Sequence, residues 1–532
     1  MNHRPFRLLV GLICGLLLLV AVAAHAQGFD PVLSQKAEDY TQYLMQWHST
    51  GLGGVSDILF TDDSRQQILQ TYGSGDSEDW TATYLVTQAI RYSITGDAEA
   101  RAEVLRIAHY LHIVKDITGD PGYLARYAAP DQAPWNVETL NNDNRYLGTG
   151  DYGGDFWLGK NVRDKYITWF WGLSWAYDAV DDADMRATIQ QDFRDVITTL
   201  HDHNWTIIDP WGQVYSAAKI LPDIRLSILV QAAHVIDEPE FWSLLDEEYR
   251  KNEYALWLTS IAFFNKYYEY YAFINNYSNT QPLFRLWPDR TRLAHLFHIW
   301  DVNVRQWSNG GHNPFFDAVY YQGCLRLGGC DAGELDAIKD DAYQSLLDMY
   351  DAPNWQRAKT CTDLPLDPFS VWAHQFLENN PWIGQLTGID IEPQTAAPHE
   401  VWDRCWESVL WECSPYHTSC SAPDDPAHTT HGVDYLIGYW LGVYYGILPG
   451  DGPYGDDELD DDTTPPDDDT VDDDATDDDT VDDDTVDDDA TDDDVTDDDT
   501  TPGDDDTQAL DDDVSDDDAT SDDDNTSAGC GC

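Results

Sequence analysis

The chain has 532 residues and a formal net charge of −70, with 99 Asp and Glu against 29 Lys and Arg. Of the acidic residues, 39 lie between 456 and 524, where there is no Lys or Arg, so the rest of the chain still sets 60 acids against 29 bases. An acidic surface of this kind excludes nucleic acid as a partner, because a phosphate backbone needs a basic face. Neutral or cationic ligands suit it, and an anionic ligand would need a local cluster of Arg and Lys.

The first residues, MNHRPFRLLVGLICGLLLLVAVAAHAQ, combine a short basic region, an apolar run and a small-residue site at Ala24-His25-Ala26. This reads as a secretory signal over 1–26, cut before Gln27, and Cys14 lies behind the bulky Ile13, which makes a poor lipoprotein box. The expected location is therefore outside the cytoplasm, whether periplasm, cell surface or medium. No other run reaches the ~18 uninterrupted apolar residues of a spanning helix.

From Asp30 onward helical patterns follow one another: 31–48, 78–93, 98–115, 162–180, 186–204, 216–235, 241–270 and 434–447. The tetrapeptide Ile-Thr-Gly-Asp stands at 94–97 and again at 117–120. Its glycine suits the residue after a helix and its aspartate suits the cap of the next one. Asp181 to Asp184 and Asp237 to Glu240 repeat that punctuation less strictly. Short turns between amphipathic helices imply stacked antiparallel hairpins. Strand signals are nearly absent, and no fixed solenoid period is present.

The segment 162–180 is apolar all round a helical wheel, with Tyr166, Trp169, Phe170, Trp171 and Trp175 pointing in different directions. Such a helix is buried on all sides. A polar, glycine-rich stretch from Asn141 to Asn161 precedes it and brings Asp155, Trp157, Lys160, Asn161, Arg163 and Asp164 to its N-terminal mouth. Buried aromatic helices beside ordinary amphipathic ones suit two concentric rings. The expected fold is thus all-α, an α/α toroid over 27–454.

Residues 456–524 are built largely on a five-residue repeat of three aspartates and two of Thr, Val or Ala. Such a segment repels itself and has no apolar core, so 455–532 is expected to be a disordered tail. Its end, Cys530-Gly531-Cys532, offers a route to surface attachment. Six further cysteines, Cys324, Cys330, Cys361, Cys405, Cys413 and Cys420, form an even set in an exported chain, which favours disulfides over zinc because no C-x2-C occurs. The short spacings make Cys324–Cys330 and Cys413–Cys420 plausible pairs, leaving Cys361–Cys405, although six cysteines formally allow 15 connectivities.

Asp155 and Asp164 are candidate catalysts, since glycoside hydrolysis needs two carboxyl groups ~5–9 Å apart. The competing reading of Asp164 is a first-turn charge that answers the helix dipole. Lys160, Arg163 and Lys165 could hold a uronate carboxylate, or could pair with the neighbouring aspartates. His431 and Asp434 stand at the start of the last aromatic helix as further catalytic candidates, while His428 and His431 are badly placed for a metal, so no metal or cofactor is expected. Trp157, Trp169, His312, Asn313 and Tyr439 complete the expected substrate-binding set, because sugar rings stack on aromatic faces beside polar companions. No nucleophile elbow, phosphate loop or dinucleotide fingerprint is present.

The segments 95–127, 159–182, HNPFFDAVYY and GVDYLIGYWLGVYYG resemble a family of exported bacterial proteins with the α/α-toroid fold, akin to six-hairpin glycosidases and polysaccharide lyases. The resemblance implies a monomeric carbohydrate-active protein, hydrolase or lyase, or else a non-catalytic glycan-binding or scaffold protein on the same fold. Family members carry G-D-T-S-R-D-x-Y before the aromatic run. Gly159, Arg163, Asp164 and Tyr166 match that motif, whereas Lys160, Asn161 and Val162 depart from it. The acidic spacer with its terminal cysteines is similar to tails of myxobacterial-type surface proteins.

Overall fold

The computed structural model describes residues 28–454 apart from 216, 257–263, 268–269, 358–363, 405–413 and 419–424. The expected signal peptide, the acidic tail with Cys530 and Cys532, and Cys361, Cys405, Cys413 and Cys420 lie outside the described residues. Cys324 and Cys330 are joined by a disulfide.

The described chain is mostly helical. Its α-helices are α1 (Pro31–Tyr43), α2 (Ser77–Thr95), α3 (Ala98–Asp116), α4 (Arg163–Ala179), α5 (Ala183–Asp202), α6 (Pro222–Ile236) and α7 (Pro239–Asn252). Then come α8 (Tyr271–Leu286), α9 (Arg290–Trp300, prolonged by a π turn to Arg305), α10 (Pro314–Leu327), α11 (Ala332–Asp348), α12 (Pro368–Asn379), α13 (Pro381–Thr387) and α14 (Val433–Tyr444). No helix among the described residues is long and apolar enough to cross a membrane.

The helix ends follow the punctuation of the sequence. Gly96 takes the left-handed conformation (φ 66°) and its N–H donates to the Tyr92 carbonyl, while Asp97 caps α3 by accepting from the Glu99 amide. Asp182 caps α5 in the same way through the Met185 amide. At the second Ile-Thr-Gly-Asp the outcome differs. Gly119 is again left-handed, but the Asp120 carboxylate accepts from the Gly122 and Tyr123 amides and makes a turn into extended chain, with no new helix.

Three expectations need correction. The span 241–270 is not one helix: α7 stops at Asn252, and α8 begins at Tyr271. Within 216–235 the helix starts only at Pro222, whose fixed φ suits a first turn. And the chain does contain sheet. Strands β1 (Asp57–Phe60) and β2 (Ile68–Tyr72) pair antiparallel, and β1 also pairs with the two-residue β6 (His428–Thr429). In a second sheet β5 (Asp155–Leu158) lies between β3 (Tyr127–Pro130) and β4 (Arg145–Leu147), both antiparallel to it. Strands of two to five residues are too short to show an alternating pattern.

Helices α2, α4, α6, α8, α10 and α14 are buried on most of their faces, whereas α1, α3, α5, α7, α9 and α11 bury one stripe each. Among the buried set, α2 packs on α4, α4 on α6, α6 on α8, α8 on α10, α10 on α14, and α14 on α2. The α2–α4 contact is the most extensive, and Gly172 explains its closeness. A Cβ there would lie 2.7 Å from the Ala82 carbonyl oxygen, so only glycine lets the two backbones approach this far. Polar bonds tie the middles of the buried helices. The Trp171 indole N–H donates to Gln281 Oε1 at 2.8 Å, and Gln281 Nε2 donates to the Tyr445 hydroxyl at 3.0 Å.

Candidate functional site

The start of α4 meets the start of α2 in a charged cluster. Lys165, 1% exposed, extends its ammonium to Asp76 Oδ1 at 2.8 Å, makes a short contact with Asp79 Oδ2, and lies 3.8 Å from Asp164 Oδ2. Burial alone would lower the Lys165 pKa, but these three carboxylates outweigh burial and raise it above its usual value. Asp79 also accepts from the Thr168 hydroxyl at 2.6 Å. Next to it, Glu78 is fully buried and is pushed well above the usual carboxylate range, by burial first and the Asp79 charge second. One Glu78 oxygen accepts from Thr168 at 3.4 Å and the other has no partner among the described residues, an arrangement that a protonated carboxyl tolerates best.

The two carboxyls that touch Lys165 are driven apart. Burial raises the Asp79 pKa to about 6, even against the pull of Lys165. Burial also opposes ionisation of Asp76, yet Lys165 and Arg126 together bring that group down to about 2. One side chain thus keeps a proton at mildly acidic pH while its neighbour stays ionised, the division of labour that acid–base chemistry requires. Asp164, in the first turn of α4, has its side chain 25% exposed, against 37% for Asp76. Asp164 Oδ1 accepts from the following amide at 3.2 Å, and the N-cap position of α4 is held by Val162, which offers no side-chain bond.

An aromatic stack stands next to this mouth. Trp157 and Trp211 are parallel, with centroids 5.8 Å apart and planes within 6°, and Tyr146 lies against both, at 4.8 and 4.2 Å. Trp157 is buried, but Trp211 is 53% exposed and presents a ring to solvent. Gly159 runs under the stack, where a Cβ would come 2.8 Å from Tyr146. Lys160 then takes a positive φ of 57° and remains exposed, and Asn161 turns inward, donating to the Leu124 carbonyl at 2.6 Å. That path delivers Arg163 half-buried at the helix start. Its guanidinium makes no hydrogen bond among the described residues. It faces Asp223 at the start of α6, a carboxyl that burial raises to about 6 and that Arg163 pulls in the opposite direction. Asp223 also lines a small cavity of about 30 Å³ with Asn276, Asn279 and Trp300.

The other expected site residues lie elsewhere or are occupied. Asp155 is the first residue of β5, opposite Pro130, and burial raises its pKa. Trp169 is completely buried and donates its indole N–H to the Leu111 carbonyl at 2.9 Å, which leaves it no face for a ligand. Asn313 is the cap of α10, accepting from the Phe315 and Phe316 amides. His312 bonds to Asp341 at 2.6 Å, and that bond holds its pKa above the usual value. His431 is sealed beneath Trp80, and its Nδ1 accepts from the Val433 amide. Asp434 and Tyr439 are buried in α14.

Sequence reasoning found Asp164, Arg163, Lys160, Lys165 and Trp157, all local to one helix start. It missed Asp76, Glu78, Asp79, Trp211 and Tyr146. The run Asp76-Ser77-Glu78-Asp79 at the head of an otherwise apolar helix was the available signal, because three acids there demand a counter-charge from elsewhere. No protein-family model matches the sequence, and no curated protein matches it.

Proposed function

We propose that this chain is an exported carbohydrate-active protein on an α/α toroid, acting on a poly- or oligosaccharide at the N-terminal ends of its inner helices. The toroid reading rests on the packing order, in which six buried helices follow one another and the last, α14, returns to the first, α2, with one-sided helices against them. The observation that carries the functional reading is the meeting of a carboxyl raised by burial, Asp79, with the partly exposed Asp164, a guanidinium that makes no hydrogen bond among the described residues, and an exposed aromatic ring at one helix start. In this reading Asp79 is the acid and Asp164 the base or nucleophile. Lys165 lies 3.8 Å from Asp164 and touches Asp79, so the two carboxyls are no farther apart than ~7 Å, one further hydrogen-bond length. That upper bound falls inside the ~5–9 Å that glycosidases use. Asp79 stands here in place of the expected Asp155. Arg163 receives a substrate carboxylate or hydroxyl, and Trp211 stacks on a sugar face.

A second reading is favoured by the low exposure of Asp79, 7%: the cluster is then a structural ion network beneath a glycan-binding surface without turnover. The export signal, and a tail serving as spacer to the cell surface, fit either reading. The test is incubation of the mature protein with a panel of neutral and acidic polysaccharides, reading reducing ends, ultraviolet absorbance of unsaturated products, and binding. Reducing ends without unsaturation support the hydrolase. Unsaturated products would transfer the chemistry to a lyase, binding without products supports the second reading, and neither binding nor products would overturn both.

A further inference from the structure

Far along the chain, a histidine and two carboxylates meet. His374 lies on α12, while Asp390 and Glu392 lie on the extended segment that follows α13. One potential donor atom from each lies within 4.8 Å of the others. Ile391, between the two acids, is buried against Ala373, Phe369 and Leu377 of α12, so the extended chain turns Asp390 and Glu392 to its opposite, exposed side. Both segments are fixed to each other. The Asp367 amide donates to the Gln394 carbonyl at 2.8 Å, and the Gln394 amide donates to Ser370 Oγ at 2.9 Å.

The state of the histidine is the second observation. His374 Nδ1 lies 2.8 Å from the Ile391 carbonyl oxygen. A carbonyl only accepts, so Nδ1 carries the hydrogen, and in the neutral ring Nε2 is left with its lone pair. A histidine oriented through Nδ1 by a backbone carbonyl, with Nε2 directed outward, is how proteins prepare an imidazole for a metal. The nearest further charge is Glu378, 3.6 Å from Nε2 and also acidic. Two exposed carboxylates are thus gathered at one imidazole, with Glu378 near its Nε2 and no Lys or Arg paired to these acids among the described residues.

We propose that His374, Asp390 and Glu392 form a site for a divalent transition-metal ion, with Zn2+ its best occupant. One imidazole nitrogen and two carboxylate oxygens are a borderline set. Calcium and magnesium prefer all-oxygen shells, whereas zinc accepts His with Asp or Glu and closes a four-coordinate shell with water or Glu378. The ion would clamp the segment after α13 to α12 and neutralise the acids.

The test is calorimetric titration of metal-stripped, disulfide-intact full-length protein with Zn2+, Ca2+ and Mg2+, alongside His374→Ala, Asp390→Asn and Glu392→Gln. Asp390 and Glu392 are exposed and His374 is half-buried, and a thermal melt verifies that each variant keeps the fold. The parent should show one stoichiometric Zn2+ site above the weak binding of the aspartate repeats, and those repeats are unchanged in every variant. Each substitution should weaken that site by at least the ~10–100-fold that loss of even an outer-shell partner causes. Equal Zn2+ binding by the parent and His374→Ala, or a parent that prefers Ca2+ to Zn2+, would overturn the proposal.

Discussion

Replacing Lys165 by methionine tests the charged cluster at its centre. The side chain is 1% exposed, and its ammonium serves Asp76 and Asp79 directly and Asp164 at 3.8 Å. Methionine fills similar volume but leaves those acids, with Glu78 behind them, facing a thioether. Removing one partner of a buried ion pair costs about 3–5 kcal/mol, because the remaining charge stays out of water. Arg126 still reaches Asp76 at 3.3 Å, and Asp79 can take up a proton, so the lower end of that range is expected at pH 7. The pH profile should change as well. Asp79 already has a folded pKa of about 6, above its unfolded value, so its neutral form is favoured in the fold and stability falls as pH rises from ~4 through ~6. Without Lys165 this dependence steepens and extends upward. Urea unfolding of parent and Lys165→Met at pH 5 and pH 7 measures both effects, and the deficit of the variant should shrink at pH 5. A loss below about 1 kcal/mol at pH 7, or one that grows on acidification, refutes the buried network.

Two further outcomes follow from named groups. His48 and His428 are held by burial at about 4, and His431 is depressed further, so the unfolded chain binds more protons than the native one below pH ~6.5. These histidines therefore remove stability between pH ~6.5 and ~4, by roughly 3 kcal/mol for each of the first two, while Asp79, Asp223 and Glu78, raised in the fold, act in the opposite direction. Thermal melts of parent and His428→Gln isolate one such contribution: the variant should gain on the parent as pH falls across that range, and a difference that does not change with pH would contradict it. At the aromatic stack, Trp211→Ala should weaken binding of the best panel glycan by about 10-fold, ~1.4 kcal/mol, while stability moves by less than ~0.5 kcal/mol, as for a surface position. Unchanged affinity, read by titration, would remove the stack from the site.

What the sequence made legible was local. The Gly96 and Asp97 pair ends one helix and caps the next as their chemistry dictates, and the apolar run after Arg163 is a helix buried on all faces. The span 241–270 misled because its aromatics fit a helical wheel anywhere, while the stop at Asn252 carries no proline or glycine. Asp164, Arg163 and Trp157 could be placed at one mouth because five or six residues separate Trp157 from the other two. Asp76 and Asp79 meet Lys165 across 89 and 86 residues, a pairing no spacing rule foresees. Trp211 sits in a loop without periodicity, so its stacking on Trp157 was equally invisible. His374 and the acids at 390 and 392 carry no ligand-spacing motif; the hairpin of α12 and α13 brings them together.

The central claim is that chemistry occurs where α2 and α4 begin, and turnover of Asp164→Asn measured beside its melting temperature tests it most directly. Asparagine keeps the size and the Lys165 amide contact but removes the charge. The account predicts turnover on the best panel substrate lower by ~10²–10⁴, with stability changed by no more than about 1 kcal/mol from the lost helix-dipole interaction. An Asp164→Asn protein that melts slightly lower and retains full turnover would contradict it.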